Sequence, residues 1–461
     1  MPKIKLLITI CFFLLILAVG AVLRWRNHTQ VPLPGESTDE YSNSWVGLSL
    51  IQLGVPVGRS GLVGYGGSDG RYINVDRIYS TTAGGGPLGI NKPWLDHPPL
   101  LPLITGGYAY LNGGMVFEDA TARLIRKPML VIGIVNIALV GIFAYLLAGP
   151  EVGLLAATLF ATSPLVVVTS RMIQAENGVI LTWLISLICL FIYQKKNRPI
   201  YLWLAALTAG TAISFKVSGV VAWLSGAAIL LSAEKKTNSR RFWETALFSV
   251  ISLSFLALFF VYGAAYSFST FTIVWQSNST RPYDIGFGSL FNLLTTTKIT
   301  VSKYLTEGWL LVGWIASLSI IGAKNKKLFS FLIVPLFSYL IIFLLMGGSA
   351  YGWYRLPFMP FLFVASAVIL AEGFKAKEKL VPVLLALIPL GVTVHKLGEI
   401  YNLMPFSQYW RYGLPLVIAW FLFGRNEKLS RGLYFLIISS AIGANIALAY
   451  SLTPEVYLKI N

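Results

Sequence analysis

The stretch IYLWLAALTAGTAISFKVSGVVAWLSGAAILLS, residues 200–232, decides the fold. It runs for 33 residues with one charge, Lys216, at its middle. A helix crossing a bilayer needs about 20 apolar residues, so the stretch is too long for one straight span. It reads as one broken helix or as a tight pair meeting near Lys216. Lys195-Lys196-Asn197-Arg198 stands before it, and Lys235-Lys236 with Arg240-Arg241 after it.

Outward from there, similar runs recur over 4–23, 128–148, 152–169, 177–193, 244–263, 308–323, 328–346, 356–371, 380–394, 412–423 and 433–450. They are continuously apolar rather than alternating over about ten residues, which excludes an outer-membrane barrel. Lipid forces each spanning segment to satisfy its own backbone, and a helical bundle remains. The expectation is an all-α polytopic membrane protein, one integral-membrane domain over 1–461, with about thirteen transmembrane helices. Charged residues make up only 12% of the chain and apolar ones 56%, against about 25% charged in soluble domains.

The net charge of +17 has a topological reading, because Lys and Arg hold cytoplasmic loops against anionic lipid. With the N-terminus inside, the two clusters above fall on the cytoplasmic side. So do Lys324 with Lys326-Lys327, then Lys375, Lys377 and Lys379, then Arg425, Lys428 and Arg431. Basic residues so dispersed exclude a nucleic-acid surface. Cys11 and Cys189 lie inside apolar runs and support no disulfide or thiolate metal site. Lys3 and Lys5 precede an apolar segment, Leu6–Leu23, longer than a signal-peptide core, so a retained first helix is expected. The chain is expected to carry no soluble C-terminal domain.

This orientation makes 24–127 a large extracytoplasmic loop and 264–307 a second one, the first too long to be a mere connection. In the first, Tyr41–Leu53 reads as an amphipathic helix with Trp45, Leu48 and Leu53 resting on lipid. A second helix is expected over Pro99–Leu111. The glycine-rich pieces at 64–70 and 84–87 read as flexible turns, since neither ends in the Gly-Lys-Ser/Thr of a phosphate loop. No internal repeat is visible. Asn27-His28-Thr29 and Asn278-Ser279-Thr280 match the N-glycosylation pattern.

The unusual residues collect on this outer side. Asp39 and Glu40 stand side by side among only 19 acidic residues in the chain. At a helix start they suit capping, and one of them would also suit a general base. Asp96-His97-Pro98-Pro99 reads as a rigid corner or as a second polar wall of a cleft. Asp39, Glu40, Asp96 and His97 together would suit a divalent ion, though nothing requires one. Lys216, Arg355 (in Tyr354-Arg355-Leu356-Pro357) and Arg171 sit at membrane ends, where charge is costly and marks function. Salt-bridging, for instance of Arg171 with Glu176, is the competing reading. Arg123, Arg126 and Lys127 read as anchors of the second span. Fixed cations at headgroup height beside a base would suit a lipid-linked phosphate.

These pieces resemble the GT-C membrane glycosyltransferases that use polyprenyl-phosphate sugars, in particular the protein O-mannosyltransferase and aminoarabinose transferase branch. The likeness rests on Asp39-Glu40-Tyr41, His97-Pro98-Pro99-Leu100, Ala122-Arg123-Leu124, Ser170-Arg171 with Glu176, Lys216, and Tyr354-Arg355-Leu356-Pro357 with Pro360. The resemblance implies a GT-C-like bundle and inverting transfer from a dolichyl- or undecaprenyl-phosphate sugar to a protein, lipid or glycan acceptor outside the cytoplasm. It implies Asp39 as the base that activates the acceptor and Glu40 as its support or as a tie within the loop. Lys216, Arg355 and Arg171 would neutralise the leaving phosphate, with Asp96, His97 and Tyr41 in the acceptor cleft. It implies a cell-membrane protein of bacterial or archaeal type. The absence of a Trp-Trp-Asp stretch argues against an oligosaccharyltransferase. The rival readings are a polytopic transporter or lipid flippase, and an assembly subunit with a dead site.

Overall fold

The protein is seen as a computed structural model that describes residues 2–460 apart from 38, 63, 77–86, 234–235, 281–286, 296, 301–302, 306, 324, 347–350, 377–378, 403–404 and 425. Thr38, the glycines at 84–86, and Lys235, Lys324, Lys377 and Arg425 of the basic loops lie outside the described residues.

The chain is a helical bundle. Among the described residues, eight helices are long and apolar enough to cross a membrane, from Leu6–Trp25 to Glu427–Ser451. Pro150–Thr162, Pro199–Phe215, Val217–Leu231, Trp309–Gly322 and Arg411–Phe423 are apolar but shorter. The decisive stretch at 200–232 is a tight pair. Lys216 is extended (φ −161°, ψ 144°) and ends the helix Pro199–Phe215, and a 3-10 turn, Val217–Gly219, starts the next. Gly219 permits the tight return, since a Cβ there would overlap the Ala212 carbonyl.

The basic loops gather at one end of the bundle. Lys375 pairs with Glu151 at 2.9 Å, Lys327 donates to Leu146 O at 2.7 Å, and Arg240 donates to Asn197 Oδ1 at 2.5 Å. Buried Glu244 draws Lys236 and Arg240 together at 2.5 and 2.7 Å.

At the other end the first loop folds as a small body whose apolar residues are continuous with the core of the bundle. Its helices Glu40–Leu53 and Leu100–Leu111 cross so closely that a Cβ on Gly47 would overlap Pro102 O, and one on Gly106 would overlap Leu48 N. The expected lipid-facing residues are therefore corrected. Trp45 and Leu48 are fully buried, and Trp45 stacks on Phe117 at 5.2 Å and donates to its carbonyl. Leu53, at the helix end, is exposed. The glycine-rich segment is not only turn, for Asp69–Arg71 pairs antiparallel with Leu88–Ile90.

Remote parts of the chain tie this end together. Glu36 accepts from the Tyr457 hydroxyl at 2.8 Å and from Thr300 Oγ1 at 3.1 Å. Buried Glu307 takes the Ser163 hydroxyl at 2.7 Å and the Leu165 amide at 3.2 Å, bracing a break between two helices. The second expected loop begins as helix. Asn238–Ser279 continues past 263, broken only at Ser267 (φ −169°, ψ 102°), where it turns back on itself.

Candidate active site

Asp39 and Glu40 are adjacent in sequence but serve different surroundings, as consecutive residues on a helix of 3.6 residues per turn must point apart. Asp39 is the residue before the helix, half-buried, and its side chain makes no capping bond. It lies within electrostatic reach of Lys216. Glu40 is fully buried and grips Arg126 through two bonds of 2.5 and 2.8 Å. Arg126 also donates to the carbonyls of His28, Pro32 and Leu33 at 2.7, 2.8 and 3.3 Å. Glu40 thus holds the loop to the second span. Tyr41 donates to Asp76 at 2.5 Å, and Asp76 also accepts from the Ala122 amide, so this tyrosine is engaged in the loop core.

Lys216 meets Glu176, a first-turn residue of the helix Ala175–Lys196, at 2.5 Å. Its ammonium also sits 4.0 Å from the centre of the Tyr354 ring. Burial opposes its charge, but Glu176, then Tyr354 and Asp39, outweigh burial and hold its pKa above the ordinary lysine value. The structure pairs Glu176 with Lys216, not with Arg171. Arg171 is fully buried and donates to three backbone carbonyls, Leu23, Val31 and Arg24, at 2.6, 3.0 and 3.2 Å. It clamps the chain leaving the first helix. Burial first, then Arg126, Arg24 and Arg26, bring its pKa down to about 9.

Arg355, next to Tyr354, is buried in the 3-10 segment Gly352–Phe358. One of its terminal nitrogens reaches Tyr351 O at 3.4 Å, and its Nε has no partner among the described residues. Its charge bears on Lys298, whose pKa is lowered by burial and then by Arg355.

Asp96 and His97 form the loop's contribution to a cavity of about 290 Å³. Ser60 donates to one Asp96 oxygen at 2.5 Å and the Tyr65 hydroxyl to the other. Burial, then Asp96, raise the Tyr65 phenol above its ordinary range. His97 packs edge-on to Trp94 at 5.9 Å. Lys216 and Tyr354 line the same cavity, as do Trp275, Asn278 and the apolar Ile342 and Phe343. Among the described residues, no three His, Cys, Asp or Glu side chains gather as a metal site. The four-residue ion site considered from sequence is not assembled, because Glu40 faces Arg126.

The cavity therefore joins Asp96, His97 and Lys216, with Asp39 in reach and Arg355 one residue beyond Tyr354. Glu40, Tyr41 and Arg171 do not line it and are bonded elsewhere, to Arg126, to Asp76 and to the chain leaving the first helix. Nothing in the residue pattern marked Arg126 as Glu40's partner, or Ser60 and Tyr65 as the groups around Asp96. Each pair is separated by dozens of residues and follows no helical or strand spacing.

The apolar helices define a multi-pass membrane protein, and the bundle with its charged, mostly apolar cavity has a fold similar to that of a solved GT-C protein. The family model for dolichyl-phosphate-mannose-protein mannosyltransferase matches residues 96–262. No curated protein matches the sequence. Among solved structures the fold is similar to ArnT from Cupriavidus metallidurans bound to undecaprenyl phosphate, with a TM-score of 0.59 and 14% identity over 96% of this chain and 77% of that one. It is also similar to the archaeal oligosaccharyltransferase AglB from Archaeoglobus fulgidus in complex with an inhibitory peptide and a dolichol-phosphate, with a TM-score of 0.54 and 11% identity. That match takes in 95% of this chain but only 55% of AglB.

Proposed function

We propose that this protein is an inverting glycosyltransferase that moves a sugar from a polyprenyl-phosphate donor to an extracytoplasmic protein, lipid or glycan acceptor. The observation that carries the reading is the cavity that joins Lys216 to Asp96 and His97, with Asp39 close enough to act on the lysine's charge. The family match to dolichyl-phosphate-mannose-protein mannosyltransferase supports it, as does a fold shared with a protein that binds undecaprenyl phosphate.

In this reading the donor enters from the bilayer, its chain along the apolar wall of Ile342 and Phe343. The acceptor hydroxyl or amine loses its proton to the Asp39 carboxylate as it attacks the anomeric carbon. The bond from that carbon to the phosphate oxygen breaks, and polyprenyl phosphate leaves with the electron pair. Attack opposite the leaving group inverts the anomeric centre. Lys216 and Arg355 stabilise the negative charge that develops on the phosphate, in surroundings where a fixed charge acts strongly. Glu40 and Arg171 hold the loop that carries the base. The basic loops face the cytoplasm and the cavity faces the outer leaflet of the cell membrane.

The test is incubation of the purified protein with a panel of polyprenyl-phosphate sugars, reading release of polyprenyl phosphate and labelling of an acceptor. Release with at least one donor is expected. Uptake of a solute or lipid across vesicles with no release from any donor would overturn the proposal in favour of transport.

A further inference from the structure

We infer that Trp275, on the returning half of its helix, is the sugar-stacking platform of this site. The inference rests on the transferase reading and names the wall that reads the sugar. Trp275 and Asn278 line the cavity beside Asp96 and His97 of the first loop.

The cavity's other aromatic residues are already engaged. Lys216 covers the face of Tyr354 at 4.0 Å. Tyr339 is buried, donates to Tyr354 O at 2.9 Å and packs on Phe358 at 4.7 Å. Phe343 packs on the same Phe358 at 5.4 Å. The imidazole of His97 lies against Trp94, which is itself buried and donates to Arg59 O. Trp275 packs as well, on Phe259, Phe260 and Phe271, but stays half-buried where it lines the cavity.

The ring is held in place before any ligand arrives. The chain turns at Ser267 and runs back along its own helix. Phe271 closes onto Gly263, where a Cβ would overlap its ring, and Trp275 packs on Phe260 at 5.0 Å. Two bonds fix this segment against the first loop: Tyr266 to Gly54 O at 2.8 Å, and Asn278 Nδ2 to Asp96 O at 3.1 Å. The same strut that presents Trp275 thus sets its distance from Asp96 and His97. A ring ordered in advance binds without the cost of immobilising it.

The chemistry fits a pyranose. Its C–H face is apolar and suits an indole, while its rim of hydroxyls needs donors and acceptors. Asn278, Asp96 and His97 supply polar groups around the same space. The amide of Asn278 donates to Asp96 O within the same space.

The experiment compares binding of undecaprenyl-phosphate mannose, undecaprenyl-phosphate glucose and undecaprenyl phosphate to the purified full chain in detergent. The proteins are wild type, Trp275→Phe and Trp275→Leu. Leucine keeps apolar packing against Phe260 and Phe271 but removes the aromatic face. The expected result is a loss of about tenfold for the sugar-bearing lipids in Trp275→Leu. Undecaprenyl phosphate binding stays unchanged, and Trp275→Phe keeps most of the affinity. Equal binding of all three lipids by Trp275→Leu and wild type overturns the inference alone. So does a parallel loss for all three, which would make the ring a lipid or packing contact. Failure of wild type to bind any of the three lipids overturns the transferase reading as well.

Discussion

Replacing Glu40 by Gln separates the two neighbouring carboxylates by their consequences. Glu40 and Arg126 are both completely buried, and their bonds are 2.5 and 2.8 Å long. Removing one partner of such a pair leaves the other charge buried without compensation, at a cost of about 3–5 kcal/mol. Arg126 would keep the carbonyls of His28, Pro32 and Leu33, so Glu40→Gln should lie at the low end of that range. Arg126→Met should cost more, because it strands Glu40 and also takes the donor from three carbonyls, each worth about 1–3 kcal/mol when orphaned. The assay is thermal unfolding of the four members of the cycle (wild type, Glu40→Gln, Arg126→Met and the double variant) in one detergent. The double variant should be clearly more stable than the sum of the single losses predicts. Additive losses, or a Glu40→Gln protein as stable as wild type, would refute the view of Glu40 as a structural tie.

Lys216→Met should abolish transfer and also destabilise the protein by about 3–5 kcal/mol, because Glu176 is left alone in a buried site. Adding Glu176→Gln should restore stability but not transfer; recovery of both would exclude Lys216 from the chemistry. Burial raises Glu307 from 4.5 to about 7, so the folded protein keeps a proton that the unfolded chain releases. Stability from this group is full below about pH 4.5 and is lost as pH rises through about 7, by roughly 3 kcal/mol in all. Glu307→Gln should flatten that slope in unfolding measured from pH 5 to 8, and an unchanged slope would contradict the assignment. Gly106→Ala forces a Cβ onto Leu48 N, and should cost about 1–3 kcal/mol by overpacking. Proteolysis of the first loop should accelerate accordingly, and wild-type resistance would count against the close crossing.

The bundle was legible because lipid leaves a chain few solutions. Apolar run length alone located the helices, and proline placed the start of Leu100–Leu111, whose preceding residue is Pro99. Lys216 announced itself as one charge in a long apolar run, and the structure puts it at a helix break lining the cavity. The charge rule also grouped loops that the fold does bring together, as Lys327 against Leu146 and Lys375 against Glu151 attest. What stayed hidden is pairing at long range. Arg126 meets Glu40 across 86 residues, Asn278 meets Asp96 across 182, and Ser163 meets Glu307 across 144. Trp45 and Leu48 looked like a lipid-facing stripe because a loop packed onto the bundle's core buries the same residue types as a surface helix lays on a membrane. Arg171 was read as a phosphate ligand or a partner of Glu176, since a side chain that holds backbone carbonyls leaves no trace in the spacing of residues.

The most direct measurement is single-turnover release of polyprenyl phosphate by purified Asp39→Asn, with any polyprenyl-phosphate sugar that the native enzyme accepts. Its melting temperature, read beside that of the native protein, establishes that the variant is folded. It should bind the donor normally yet transfer its sugar at least a hundredfold more slowly, in the range of about 10²–10⁴ expected for losing a general base. Native-like turnover from a correctly folded Asp39→Asn protein would leave the proton with some other group and remove the chemical role given to the first loop.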